Sequence, residues 1–176
     1  MSSSLPDPAS AAASPSVRPV RPDDVDAVVG LVHELADYEL APQECTLTTE
    51  RLAAALFADA PALFGHVAEV DGTVAGTALW FLNYSTWTGT HGVYLEDLYV
   101  RPSHRRRGLG RLLLGTLAAE CVARGFSRLE WSVLDWNRPA LDFYASIGAL
   151  GMDEWTVHRV TGDALRALAG PAAGRS

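Results

Sequence analysis

The run Tyr94-Leu95-Glu96-Asp97-Leu98-Tyr99-Val100-Arg101-Pro102, followed by Ser103-His104-Arg105-Arg106-Arg107-Gly108-Leu109-Gly110, decides the fold of this chain. Aromatic and β-branched residues come first and predict a strand. Pro102 cannot donate to a ladder and stops it. A basic turn with two glycines follows, and Arg111-Leu112-Leu113-Leu114 opens an apolar, helix-forming segment. Strand, tight loop and helix N-terminus in succession make an anion site, because free N–H groups point outward where the helix dipole is positive. Gly108 and Gly110 let the backbone approach a ligand closely. Arg105, Arg106 and Arg107 add charge that suits phosphate oxygens. The bland alternative is a solvated basic loop. Against it stand Glu96 and Asp97, carboxylates inside a strand, where they are disfavoured without a task.

Around this stretch, the 176 residues suit one domain with one sizeable core, and 48% of them are hydrophobic. No uninterrupted apolar run is long enough to span a bilayer, and no basic region followed by an apolar stretch opens the chain, so no membrane association or secretory signal is expected. Cys45 and Cys121 make neither a disulfide framework nor a metal-ligand cluster, so both are read as reduced, in a cytoplasmic protein without metal. A formal net charge of −7 disfavours nucleic acid and favours a cationic partner.

Along the chain, residues 1–16 are Ser, Ala and Pro with almost no large apolar residue, and are expected to be disordered. The domain is expected over 17–170, with a flexible tail at 171–176. Residues 17–21 predict a short edge strand, since they contain Pro19. Asp23 or Asp24 caps a helix in which Val25, Val28, Val29, Val32 and Leu35 recur at helical spacing up to about Tyr38. A second helix is predicted over 48–57. Strands follow at 63–70 and 73–82, with Asp71-Gly72 as a hairpin turn between them. Residues 83–92 read as a polar and aromatic connection to the central strand at 93–100. The long helix spans 109–124 and ends at Gly125. A strand at 128–134 leads to a helix over 140–147, with Asn137 as cap and Pro139 early in the first turn. Residues 152–160 predict a last strand, and 163–168 a short terminal helix. The pattern is that of a mixed α/β domain.

Arg105-Arg106-Arg107-Gly108-Leu109-Gly110 fits the acyl-CoA-binding signature of the GNAT N-acetyltransferases: Gln or Arg, two residues, Gly, one residue, then Gly or Ala. The chain resembles that family over 17–169. Leu95-Glu96-Asp97-Leu98-Tyr99-Val100 looks like its diamine branch, the spermidine/spermine and thialysine enzymes. Tyr84-Ser85-Thr86-Trp87 with Gly89, and Val133-Leu134-Asp135-Trp136-Asn137, lean toward the thialysine side. The resemblance implies a three-layer fold, a mixed central sheet with helices on both faces. It also implies acetyl-CoA as co-substrate, a small primary amine as acceptor, and a homodimer paired through the C-terminal halves. Arg106 departs from the pattern, since these families usually carry Gly there.

Acyl transfer from a thioester to an amine needs three things. The ammonium must lose a proton, against a reference pKa of about 10.4 for lysine. The thiolate needs an acid, and the carbonyl oxygen needs a hydrogen-bond donor as charge develops. Asn137-Arg138-Pro139-Ala140-Leu141-Asp142-Phe143-Tyr144 resembles the family segment in which Asn, Arg, Pro and Ala line the CoA arm and Tyr144 protonates the thiolate. Asn137 and Tyr144 are two helical turns apart, on one face. By the same resemblance Glu96 binds the amine and removes its proton. A strand bulge frees the Leu98 N–H for the acetyl oxygen and, past Tyr99, the Val100 N–H for the pyrophosphate. The run Arg105, Arg106, Arg107, Gly108, Leu109 and Gly110 then cradles phosphate. Tyr38, Glu39, Glu130, Trp131 and Ser132 match the substrate wall, where acidic and aromatic groups suit a diammonium chain. Tyr144 as a packing aromatic, Tyr38-Glu39 as a solvated helix end and Asp97 as a structural carboxylate are the competing readings. The alternative functions are an acetyltransferase for an amino acid or amine antibiotic, and a non-catalytic acyl-CoA-binding module.

Overall fold

Strands β1 (Ser16–Pro19), β2 (Phe64–Val70), β3 (Thr73–Ser85), β4 (Thr90–Val100) and β5 (Leu129–Trp131) form one sheet in that order in a computed structural model describing residues 14–170. Residues 1–13 of the expected N-terminal tail, and the tail at 171–176, lie outside the described residues. The first three pairings are antiparallel, and β4 with β5 is parallel, so the sheet is mixed. By contacts the chain divides into two compact units, 1–132 and 133–176. The sheet belongs entirely to the first, with helices α1 (Val25–Tyr38), α2 (Thr49–Leu56) and α3 (Leu109–Ala123). The second holds α4 (Arg138–Ser146) and α5 (Gly162–Ala169).

Strand alternation sorts the helices onto two faces of the sheet. Val67 and Leu79 join Val28 of α1 and Leu52 of α2 in one apolar cluster. His66, next to Val67, points the other way, where Glu120 of α3 acts on it. Leu109, Leu113, Leu114, Leu117 and Cys121 are the buried stripe of α3. Fully buried leucines such as Leu31, Leu52, Leu113 and Leu117 each stabilise the fold by roughly 1.5–3 kcal/mol. Burial holds the His66 ring below its usual pKa, and its Nδ1 accepts a 3.1 Å bond from Trp80 Nε1.

The local signals act as their chemistry requires. Asp71 and Gly72 both take positive φ, 50° and 75°, the left-handed pair of a two-residue hairpin. Thr48 caps α2 by accepting from the Arg51 N–H. The amides of Gly125 and Phe126 donate to the Val122 and Cys121 carbonyls, closing α3 on a left-handed glycine.

Four expectations need correction. Residues 83–92 are not a connection, since β3 runs to Ser85 and β4 starts at Thr90, with only Thr86–Gly89 between them. The Tyr84 and His91 rings, 5.0 Å apart and edge-on, pair across this extension. Asp24 does not cap α1 with its side chain. Its carboxylate accepts from Arg18 at 2.6 Å and from the Arg21 N–H at 2.7 Å. The strand expected over 128–134 is only Leu129–Trp131. Residues 152–160 form no strand; they are exposed, with a turn closed by Trp155 N–H on Met152 O. Alternation alone does not make a strand, because each residue also needs a ladder partner.

Candidate active site

The central strand is built around one extra residue. In the β3–β4 register Leu79 faces Asp97 and Trp80 faces Leu95, so Glu96 has no counterpart and forms a β-bulge. The bulge reverses the phase of the backbone. Before it, the Val93 N–H turns toward the β5 side and donates to Arg128 O at 3.0 Å. After it, the Arg101 N–H turns toward β3 and donates to Ala75 O at 3.0 Å. Extended geometry alternates these directions, so the Leu98 and Val100 N–H groups point away from β3. The β5 pairing ends at Leu95, so among the described residues no strand pairs with that edge beside Leu98, Tyr99 and Val100. The expected bulge is therefore present, with its two amides on an open edge.

At the far end of this edge is the basic loop. Gly108, at φ 80°, is the N-cap of α3, and Leu112 N–H to Gly108 O is the first helical bond. The N–H groups of Leu109, Gly110 and Arg111 thus have no partner within the helix. Leu109 is buried, so its side chain belongs to the core. Arg106 and Arg107 are exposed. Arg106 has φ 63°, which explains the family glycine there and makes this arginine a strained substitute. Arg105 is exposed as well, but its side chain is engaged, with its Nε donating to Val100 O at 2.9 Å. Its guanidinium lies 5.0 Å from the Tyr38 ring centre and 5.5 Å from that of Tyr99. Outward amides, an exposed pair of arginines and a left-handed glycine fit the diphosphate of an acyl-CoA.

The α1 face of the same strands is acidic and aromatic. Phe81 pairs with Tyr94, and Tyr94 with Glu130, on the face that also carries Leu79 and Asp97. The Phe81 and Tyr94 rings stack at 5.0 Å, and Tyr94 Oη lies 2.8 Å from Ser132 Oγ. Burial, then Glu96, then Glu39 raise the Asp97 carboxyl to about 6. Burial also raises Glu39, the residue that ends α1. Glu39 and Glu96 thus each act on Asp97, and the bulge removes the requirement that adjacent Glu96 and Asp97 face opposite sides. Glu130 is less available than expected. Asn83 Nδ2 donates to it at 2.7 Å, and Arg128 Nε lies 2.8 Å away, off the hydrogen-bond direction. Trp131 ends β5 and is half-buried. Sequence reasoning missed Phe81, Tyr94 and Asn83; the cross-strand registers that reveal them depend on the unexpectedly long β3–β4 hairpin. A cleft of about 320 Å³ opens elsewhere, near the ends of α2 and α3, lined by Phe64, His66, Trp80 and Glu120. None of the predicted site residues lines it.

In the second unit, Asn137 caps α4, its side chain accepting from the Ala140 N–H at 3.4 Å. Arg138 and Pro139 form the first turn, and Arg138 lies 3.8 Å from Asp142 on the exposed side. Tyr144 is half-buried beside Phe143, ring centres 5.4 Å apart. The helix closes with Gly148 N–H on Ala145 O and Ala149 N–H on Tyr144 O, Gly148 taking φ 85°.

The chain was compared with known proteins. Residues 31–149 match the model of the acetyltransferase (GNAT) family. A thialysine N-epsilon-acetyltransferase of Bos taurus is 34% identical over 165 residues, 88% of this chain and 96% of that protein. An L-ornithine N5-acetyltransferase of Arabidopsis thaliana is 45% identical over 98 residues, 56% of this chain and 43% of that one. Among solved structures, an integron cassette protein of V. cholerae is 26% identical with a TM-score of 0.75, covering 90% of this chain and 99% of its own. The bulged strand, the open amide edge and the basic glycine loop agree with these matches: the chain belongs to the GNAT acetyltransferase family.

Proposed function

We propose that this chain transfers the acetyl group of acetyl-CoA to a primary amine of a small diamine, polyamine or thialysine-like molecule, by direct attack. The observation that carries this reading is the bulge at Glu96. It interrupts the β3 ladder beside Asp97, on which Glu39 also acts, and turns the Leu98 and Val100 amides away from β3. Acetyl-CoA supplies the activated thioester. Val100 N–H, the start of α3 and Arg106 and Arg107 hold its diphosphate, and the segment Asn137-Arg138-Pro139-Ala140 lines its arm. Glu96 accepts the ammonium proton, directly or through one water. Leu98 N–H donates to the carbonyl oxygen as negative charge grows. Tyr144 gives its proton to the departing sulfur. The carboxylates of Glu39 and Asp97, with the rings of Tyr38, Phe81 and Tyr94, suit a cationic chain. The relatives named for thialysine and ornithine support an acceptor with an amine on a flexible chain.

A homodimer belongs to the same proposal. Its support is the exposed apolar surface of the second unit, including Leu150, Met152, Trp155, Val157 and Leu168. The free thiols of Cys45 and Cys121 support a cytoplasmic setting. The test is acetyl-CoA with a panel of amines, followed by thiol release. Turnover of thialysine, ornithine or a diamine well above that of a simple monoamine is expected. Tight acetyl-CoA binding without acetylation of any amine selects the binding-module reading instead.

A further inference from the structure

Arg105 opens the phosphate-binding signature, yet its side chain is committed elsewhere. Its partners include the Val100 carbonyl at 2.9 Å, the Tyr38 ring at 5.0 Å and the Tyr99 ring at 5.5 Å. Tyr38 is the last residue of α1, and Glu39 follows it. That helix end is strained. The amides of Leu40 and Ala41 donate to the Asp37 and Ala36 carbonyls, which forces Leu40 to φ 61° where a glycine is the usual residue. Leu40 is 80% exposed, so its own packing does not hold it there. Arg106, next to Arg105, is also left-handed at φ 63°. Strained non-glycine residues thus flank both sides of the Arg105–Tyr38 stack. Such residues persist where neighbouring contacts over-determine the backbone.

We propose that Arg105 is a positioning residue for the amine site: through Tyr38 it fixes the end of α1, and so Glu39, against the loop that binds the acyl donor. The inference rests on the acetyltransferase reading for its kinetic consequence, but its structural consequence stands apart from it. A planar guanidinium between two rings, with its Nε on a carbonyl, is a geometry that lysine does not reproduce. A phosphate ligand acting by charge would tolerate lysine better.

The experiment compares Arg105→Leu and Arg105→Lys with the parent chain. Both variants are expected to raise the amine KM about threefold, the scale of one lost cation–π contact at an exposed site, with a smaller change in the acetyl-CoA KM. Tyr38→Leu should raise the amine KM similarly, and the double variant with Arg105→Leu should add little, since both break one contact. Hydrogen exchange supplies a readout that needs no turnover. In the folded Arg105→Leu chain the amides of Leu40 and Ala41 should exchange faster, while those of β2 stay protected. A raised acetyl-CoA KM with unchanged amine KM, rescued by lysine, would overturn the proposal. So would unchanged exchange at Leu40 and Ala41. Failure of the parent to acetylate any amine would instead count against the proposed function, and the exchange result would still decide the role of Arg105.

Discussion

The two halves of β4 have opposite characters. From Val93 to Leu95 the strand is laddered on both sides, and Val93 and Leu95 are buried. From Glu96 to Val100 it keeps only the β3 ladder and carries two carboxylates and a phenol. One extra residue separates them. The first half satisfies its backbone groups within the sheet, as a buried strand must. The second leaves amides for a ligand, and the same bulge gathers acidic side chains nearby. A change of backbone phase thus underlies the proposed site. The phenol of Tyr99 shows the cost: burial raises its pKa, Glu34 adds to the rise, and Arg105 opposes it.

The open half supplies the proposed hydrogen-bond donors and base, while the proposed acid, Tyr144, lies outside β4. Tyr144→Phe removes only a hydroxyl. It should lower kcat by about 10²–10⁴-fold with acetyl-CoA binding little changed. Near-parent kcat would return Tyr144 to a packing role. Glu96→Gln keeps the residue count and so the bulge. Its kcat should fall by about tenfold to a hundredfold, less so at high pH, where more amine is already neutral. Glu39→Gln should mainly raise KM, and more for a long diamine than for a monoamine. Equal kcat losses for both variants on every amine would erase this division of labour.

Asp97 sharpens the same contrast through stability. Its folded pKa is about 6, raised mainly by burial, against 3.8 for the unperturbed group. The folded state therefore holds this proton more tightly than the unfolded state, and its contribution to stability falls as pH rises from about 4 to 6. Asp97→Asn should accordingly raise the Tm at pH 7–8, with the advantage disappearing below pH 4. A Tm difference independent of pH would contradict the assignment. Smaller still is Arg106→Gly. It relieves a left-handed arginine but loosens the unfolded chain, so the net gain should be about 0.5 kcal/mol by denaturant titration. Clear destabilisation would show that Arg106 makes contacts worth more than its strain.

Much of this was legible beforehand, for local reasons. Asp71-Gly72 and Gly125 announce their left-handed conformations chemically. Pro102 and the glycine loop mark the strand-to-helix junction. The bulge at Glu96 was expected through family resemblance, because two carboxylates in a strand do not by themselves specify a register. What stayed hidden depends on partners. Asn83 and Gly92 have low strand propensity, yet they pair in the long hairpin alongside Tyr84 and His91. Trp155 to Val160 alternates well but finds no ladder partner among the described residues. Arg105 reads as a phosphate ligand in one dimension and as the filling between two tyrosines in three.

The contrast within β4 can be read amide by amide. In a ¹⁵N-labelled sample titrated with acetyl-CoA, the Leu98 and Val100 resonances should shift strongly and their exchange should slow. Val93 and Leu95, already inside the sheet, should show little change. Shifts spread evenly along β4, or absent at Leu98 and Val100 while the cofactor is bound, would contradict the assignment of the bulged half as the acyl-transfer edge.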